Sequence, residues 1–211
     1  EFRRVLFRSA SPEALIQYTA RVSNPDNQTS NNSKLLSYCA KHKHWSIFEQ
    51  ADFTFEITTS RAIAAQLLRH KSFFFQEFSQ RYSKTQGFEL YDARRQDVKN
   101  KQNSIDDLPE EDKDWFIEAQ RAINAIAQGF YDDALSKGIA KESARFLLPL
   151  STQTVLYMKG SVRSWIHYVD VRSGLDTQLE HREIALAIKN ILIKEIPTIA
   201  EAMGWINQDK E

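Results

Sequence analysis

The densest chemistry in this sequence lies in Gln66–Ser83, QLLRHKSFFFQEFSQRYS. Arg69, His70 and Lys71 are three consecutive cationic or potentially cationic side chains at the end of a helical pattern. Consecutive helical residues fan out by about 100°, so the three cannot face one ligand while helical; where the helix unwinds, all three can surround one bound anion. Ten residues after Arg69 comes Ser79, with Arg81 two further on. In extended chain Glu77, Ser79 and Arg81 share one face. A hydroxyl donor and a guanidinium fork suit phosphate recognition, and Glu77 can orient Arg81 or accept from a ribose hydroxyl. The competing explanation is ordinary. Arg, His and Lys complement the dipole of a solvated helix C-terminus, and Phe73, Phe74, Phe75 and Phe78 are core residues. The triplet alone favours that explanation; the phase of Ser79 and Arg81 brings anion binding level with it.

Three other groups carry potential chemistry. His42, His44 and Glu49 in HKHWSIFE offer an HxH pair and a carboxylate, but no third ligand is suitably spaced, so a helix end with Trp45 packed is preferred and no metal is expected. Arg145 sits in the mostly apolar ESARFLLPL, where a buried guanidinium must be paired or bound to a ligand; a structural salt bridge is the simpler outcome. Arg163 and His167 are spaced i, i+4 on one helix face, with Arg172 just beyond. They offer a second anion site, and a solvated face explains them equally well.

These residues must be positioned by a chain of 211 residues, enough for one domain with a real core. It carries 28 basic and 28 acidic side chains, so any anion site is local, and bulk attraction to nucleic acid or an anionic membrane is not expected. Cys39 is the single cysteine, which excludes an intrachain disulfide framework and a cysteine-based zinc site and suits a reducing, cytoplasmic setting. No apolar run approaches the roughly 18–20 residues of a membrane span. The six glycines form no phosphate-cradling loop, so a nucleotide would be held by side chains. Residues 1–9, EFRRVLFRS, read as a cloning scar or a truncated first strand, and 10–211 as one domain.

Local signals give the elements. Ser11 caps a helix from Pro12 to about Val22, and a second runs from Lys34 to about His42 with Leu35, Leu36 and Cys39 inward. Ala51–Thr59 alternates with period two, Phe53, Phe55 and Ile57 on one face, as a half-buried strand. Ser60 caps a helix from Arg61 to about His70 with Ile63, Ala64, Leu67 and Leu68 as its apolar stripe. Lys71–Ser83 has no clean period and reads as extended or irregular chain, and 91–108 as an exposed connection with a short helical turn. A long helix follows over about 109–137, ended by Gly138, then a short helix 141–146. A strand 151–158, a helix 161–171 and a second long helix 176–196 complete the chain. The fold class is α+β: one domain, a small antiparallel sheet flanked by several helices.

Arg69-His70-Lys71, seven residues and then Ser79 resemble the RHR-x7-S signature of the flavin-dependent thymidylate synthases, the ThyX family. The flanks extend the likeness: Thr19–Asn24, His44-x-Ser46-x-x-Glu49, Ala144-Arg145 with Leu148-Pro149, and Val162-Arg163-Ser164 through Arg172 to Gln178 and Glu180. The resemblance implies reductive methylation of dUMP to dTMP, with 5,10-methylenetetrahydrofolate as carbon donor and NADPH-reduced FAD as hydride donor. It implies a homotetramer with active sites shared between subunits. Carried over by residue, Gln66, Leu67, Leu68, Arg69, Glu77, Phe78, Ser79, Gln80, Arg81, Arg145 and Arg172 would hold dUMP, with Arg172 catalytic in favouring ionisation at the uracil N3. Ser46, Arg69, His70, Lys71, Glu77, Ser161, Arg163 and His167 would hold FAD, with His44 near flavin and folate. Neither Cys39 nor the Ser79 hydroxyl would be the attacking group. Lys71, Gln76, Gln50 and Ser161 depart from the family pattern and bear on flavin binding. The rival expectations are a flavin- and nucleotide-binding protein without methyl transfer, and a nucleic-acid module using KSFFFQEFSQRYSK as a stacking platform.

Overall fold

The computed structural model describes residues 6–8, 11–30, 33–85 and 87–206. Strand β1 (Leu6–Arg8) is followed by α1 (Pro12–Ala20), α2 (Lys34–Lys41), β2 (Asp52–Ser60), α3 (Arg61–Leu67) and β3 (Phe74–Glu77). A two-stranded ribbon, β4 (Arg95–Gln96) with β5 (Ser104–Ile105), precedes the long α4 (Glu110–Ser136) and the short α5 (Lys141–Ala144). Then come β6 (Gln153–Ser161), α6 (Val162–Arg172), α7 (Leu179–Glu195) and α8 (Pro197–Ala202). The main sheet has the order β1-β2-β6-β3, with every pairing antiparallel. The expected α+β class is what the chain adopts.

One face of this sheet builds the core. Alternation along β2 buries Phe53, Phe55 and Ile57, and β6 adds Leu156 and Met158. Trp165 and Tyr168 of α6 lie on them, fully buried; Trp165 meets Phe55 and Phe73 edge-on at 4.7 and 4.6 Å, and its indole N–H donates to the Phe53 carbonyl at 3.1 Å. Ile184, Ile188 and Leu192 of α7 close the layer. A smaller cluster of Tyr131, Ala134 and Ala144 joins α4 to α5.

The two central strands end alike. Ser60 closes β2 and caps α3, accepting from the Ile63 amide; Ser161 closes β6 and caps α6, accepting from the Ser164 amide at 3.2 Å. Because β2 and β6 are antiparallel, with Asp52 opposite Ser161 and Ser60 opposite Gln153, the two helices leave from opposite ends of the sheet.

Several expectations are corrected. The Ser11 side chain makes no cap bond, and α1 stops at Ala20. Within 71–83, Phe74–Glu77 forms an edge strand, since β6 supplies ladder partners from Lys159 to Leu156 that outweigh the missing period. Within 91–108 the expected helical turn is replaced by the β4–β5 ribbon, held by the Asp97 carboxylate accepting from the amides of Lys99 and Asn100 and from the Asn103 side chain. Leu6–Arg8 pair with Phe53–Phe55 and so belong to the sheet; the remainder of 1–9 lies outside the described residues.

Gly160 is a packing requirement. A Cβ there would stand 2.5 Å from two ring carbons of Phe73, itself wedged against Trp165. Gly160→Ala should therefore cost about 1–3 kcal/mol. The loss should be non-additive with Phe73→Leu, which makes room for the methyl. Thermal melts of the two single variants and the double variant check this; an unchanged Tm in Gly160→Ala would mean that Phe73 turns aside freely.

Candidate active site

The C-terminal ends of α3 and α6 meet. Past Leu67 the chain unwinds through Leu68–Lys71, and this separates the cationic triplet. Arg69 and Lys71 are exposed, and their side chains make no hydrogen bond or ion pair among the described residues. His70 turns inward, and Arg172 Nε donates to its Nε2 at 3.0 Å. An Nε2 that accepts belongs to an imidazole protonated on Nδ1, so His70 is neutral here. The expectation that three cations surround one anion is corrected to two cations flanking a neutral imidazole. Having donated its Nε–H, the Arg172 guanidinium keeps its terminal nitrogens for a ligand.

Behind this contact lies an aromatic cluster that sequence reasoning missed. His181, at the start of α7, is fully buried, its ring 6.0 Å from His70 and 5.8 Å from Tyr168. The signal was available: His181 leads the stripe Ile184, Ala185, Ile188 at i, i+3, i+4 and i+7. Its Nδ1 lies 3.2 Å from Oε1 of Gln66, while its Nε2 is buried without a partner among the described residues. Gln66 in turn donates from Nε2 to Gln178 Oε1 at 2.6 Å. Leu67 is fully buried in the core, so of the Leu67–Leu68 pair only Leu68 presents its side chain outward.

A polar band runs outward along α6. Arg163 pairs with Glu49 at 3.1 Å, tying α6 to the 3₁₀ turn Trp45–Glu49 that carries Ser46. His167 follows one turn later and faces His70 closely enough to disfavour its charge. His44 precedes the turn, its ring 5.7 Å from Tyr38. Ser161 spends its hydroxyl on the α6 cap.

The remaining residues gather elsewhere. Arg61, at the start of α3, donates to Glu77 Oε1 at 2.9 Å and to the Phe78 carbonyl at 2.8 Å, and Thr154 also donates to Glu77. Glu77 is therefore fixed by Arg61, and of its two expected partners Arg81 is not the one it holds. The Ser79 carbonyl accepts from the Tyr82 and Ser83 amides in a tight turn, and its hydroxyl has no partner among the described residues. Gln80 lies in that turn, and Arg81 extends from it to Glu142 at a loose 3.5 Å. Arg145 follows α5, which carries Glu142, and is partly buried, its guanidinium over Phe146 and its Nε donating to the Glu142 carbonyl. Among the described residues Arg145 makes no ion pair, so the structural salt bridge, the simpler of its two expected outcomes, is not what the chain adopts. Arg61 opens α3 and His70 lies three residues past its last residue, Leu67, so about 9 Å of helix at 1.5 Å per residue stands between them. One chain thus holds two separate groups: Gln66, Arg69, His70 and Arg172 at one end, Glu77–Arg81 and Arg145 at the other.

A cleft of about 870 Å³ opens beside the first group, walled by Tyr91, Arg94, Trp115, Phe116, Gln178 and Glu180. Sequence reasoning left the 91–108 part of this wall as an exposed connection. Among the described residues no group of metal-ligating side chains forms, and no helix is long and apolar enough to cross a membrane.

An α+β chain with exposed cations at a helix end, and a serine–arginine turn at a sheet edge, presents side chains of the kind that suit anionic ligands. The comparisons make the class specific. The family model for thymidylate synthase complementing protein matches residues 4–198. The flavin-dependent thymidylate synthase of Synechocystis sp. is 60% identical over 195 residues, covering 92% of this chain and 91% of that protein. A probable flavin-dependent thymidylate synthase of Paramecium bursaria Chlorella virus 1 is 55% identical over 197 residues, with 92% and 91% covered. The chain belongs to the thymidylate synthase complementing protein family, a family of enzymes. The UMP/dUMP methylase PolB of Streptomyces cacaoi, solved with 5-Br dUMP, shares the fold at a TM-score of 0.84 and 24% identity, covering 98% of this chain and 97% of that one.

Both buried imidazoles are held neutral. Burial, then Arg172 and His167, push His70 down to about 4; burial, then Arg172 and His70, push His181 down to about 4. Each lies below the usual value of 6.5, so between these limits unfolding takes up protons. The stability they support is complete above about pH 6.5 and lost as pH falls toward 4. Tm should drop across that window, and His181→Phe, which keeps a buried ring, should flatten the drop. Thermal melts from pH 4 to 7.5 test this; an equally steep profile in His181→Phe would count against it.

Proposed function

We propose that this protein is a flavin-dependent thymidylate synthase: it methylates dUMP to dTMP, taking its carbon from 5,10-methylenetetrahydrofolate and its reducing equivalents from NADPH through FAD. The 60% and 55% identical relatives support the flavin and the product. The observation that carries the mechanism is the Arg172–His70 contact. It pins one edge of a guanidinium against a neutral imidazole and leaves the other edge for the pyrimidine. A guanidinium there stabilises negative charge on the ring, assisting ionisation at N3 and making C5 nucleophilic. Cys39 is buried on α2 and burial raises its thiol pKa, so it suits packing and not attack.

The residues present fit FAD. Arg69 and Lys71 are exposed, unneutralised donors of the kind a diphosphate takes, Lys71 as a point charge where the family has a fork. Arg163, His167 and Ser46 continue the band along α6, with His44 at its far end near flavin and folate. Bound flavin supplies the hydride; the chain's part is to hold it, orient it and keep Arg172 aimed at the nucleotide.

dUMP takes its phosphate contacts from Ser79, Arg81 and Arg145, with Gln80, Phe78 and Glu77 lining the approach, and Gln66 and Arg69 reach it from the other group. In one chain those groups lie at opposite ends of α3. Assembly of two or more copies brings them together, in keeping with a homotetramer. The outer face of α4 supports assembly: Trp115, Ile123, Ile126 and Phe130 fall on one helical stripe and are all exposed in the single chain. Phe146, Leu147 and Leu150, beside Arg145, are exposed as well. The chemistry suits the cytoplasm, where dUMP and reduced folate are found together with NADPH.

Tritium release from dUMP labelled at C5, with methylenetetrahydrofolate, NADPH and FAD, tests the reaction. Release should require FAD, fall by at least about a hundredfold in Arg172→Ala, and persist in Cys39→Ala. A folded, flavin-loaded protein that releases no tritium would remove the methyl-transfer reading. Sharing of sites is tested separately. Arg172→Ala and Arg81→Ala should each be inactive alone, and co-refolding the two should restore activity by forming sites from two intact halves. No recovery in mixed, correctly sized oligomers would mean that each chain completes its own site.

A further inference from the structure

Gln66 belongs to the proposed dUMP set, and a line of hydrogen bonds fixes its amide from behind. The line begins at Glu180. Burial pushes this carboxyl up, but the bonds from Arg94, its own backbone amide and Gln178 more than reverse that, and its pKa lies below the usual range. Glu180 is thus an ionised carboxylate, which only accepts. Arg94 Nη2 donates to its Oε1, and Gln178 Nε2 donates to its Oε2 at 2.8 Å. That contact settles the Gln178 amide, leaving its Oε1 to accept from Gln66 Nε2 at 2.6 Å. The Gln66 amide is settled in turn, its Oε1 facing His181 Nδ1 at 3.2 Å. The His181 proton must then sit on Nδ1, which leaves Nε2 as the bare, unpartnered buried nitrogen. An amide's two ends are nearly equal in size, and its direction is decided only by its partners. Here one acceptor-only group decides both amides and one imidazole tautomer. Arg94 is itself steadied by Ser104 Oγ at 2.9 Å, across the β4–β5 ribbon.

We propose that Arg94, Glu180 and His181 are positioning residues for nucleotide recognition: the first two acting through Gln178 and His181 by its direct contact, they hold the Gln66 amide in one of its two orientations, so that Gln66 offers dUMP one fixed N–H donor and one fixed carbonyl lone pair. This rests on the reading of Gln66 as a dUMP contact. Of the four hydrogen-bonding positions of the amide, one N–H goes to Gln178 and one lone pair to His181. The remaining two point elsewhere, and inverting the amide would exchange a donor for an acceptor against the same edge of the nucleotide. The ribbon that sequence alone leaves as a connection thereby acquires a purpose, which is to bring Arg94 to Glu180.

The test uses the FAD-loaded enzyme and steady-state kinetics with dUMP. Glu180→Gln keeps the shape but can donate as well as accept, so both amides are free to invert. It should raise KM for dUMP about tenfold, with kcat within about twofold and the flavin absorbance spectrum unchanged. Gln178→Ala, at an exposed position, cuts the line in the middle and should do the same, which keeps the test open if Glu180→Gln does not fold. Gln66→Ala should raise KM at least as much, and adding Glu180→Gln to it should change nothing further. If Gln66→Ala leaves KM for dUMP untouched, the underlying reading of Gln66 fails. If Gln66→Ala raises KM while Glu180→Gln and Gln178→Ala do not, or if the double variant adds the two effects, the positioning role is overturned.

Discussion

A guanidinium set against a buried imidazole settles the protonation of its surroundings. Arg172 donates to His70, and its charge also bears on His181. Burial and then the repulsion of that cation keep either imidazole from taking up a second proton, so both stay neutral across the physiological range. Tyr168 obeys the same constraint from the other side: burial, only partly opposed by Arg172, pushes its phenol well above the usual range. The cluster behind the site is therefore electrically quiet apart from Arg172, which is the one charge it orients beside the exposed Arg69 and Lys71. The two serine-capped helices exist, in this sense, to bring one guanidinium and one imidazole together from strands that run in opposite directions.

The same architecture explains why the proposed nucleotide contacts divide into two groups. α3 is short because Leu67 is its last residue anchored in the core, and the chain unwinds immediately after it. Its two ends are both committed, Arg61 to Glu77 and the Phe78 carbonyl, His70 to Arg172. β3 lies at the sheet edge, bound on one side to β6. A rigid helix beside a rigid edge strand cannot fold the Ser79 turn back onto Arg172. Separation in one chain follows directly from local order, and it is what makes an assembly of chains useful to the chemistry.

Much of the scaffold was legible because it depends on short-range physics. The alternation of Phe53, Phe55 and Ile57, the serines before α3 and α6, and Gly138 past α4, where φ is 80°, each act within a few residues. The failures share a different origin. Phe74–Glu77 is a strand because β6 pairs with it, and nothing within its own four residues says so. The 91–108 segment is mostly polar and charged, and its ribbon is specified by Asp97 accepting from its own neighbours, a pattern hidden in an unremarkable charged stretch. Arg81, four residues away, was one of two partners offered for Glu77, beside a ribose hydroxyl, when the geometry gives it to Arg61, sixteen residues before it. The types of the site residues could be read; their partners, set by packing across the chain, could not.

The balance of charge also takes on meaning once partners are known. Equal numbers of acids and bases would seem to leave little for an anion. The arginines, however, are paired at two depths. Arg61–Glu77 and Arg94–Glu180 have side chains no more than 23% exposed, and removing either partner would strand a desolvated charge. Arg81–Glu142 and Arg163–Glu49 are between 42% and 65% exposed, at 3.5 and 3.1 Å, and exposed pairs of this kind are worth about 0–1 kcal/mol. A phosphate, with more acceptor oxygens and more charge than a carboxylate, can displace Glu142 or Glu49 at little cost, whereas it cannot displace Glu77 or Glu180. Depth of burial thus sorts one residue type into framework and ligand, and it places the exchangeable arginines where the proposed dUMP phosphate and flavin contacts lie. The neutral total is a framework of fixed pairs surrounding a few charges that are available on demand.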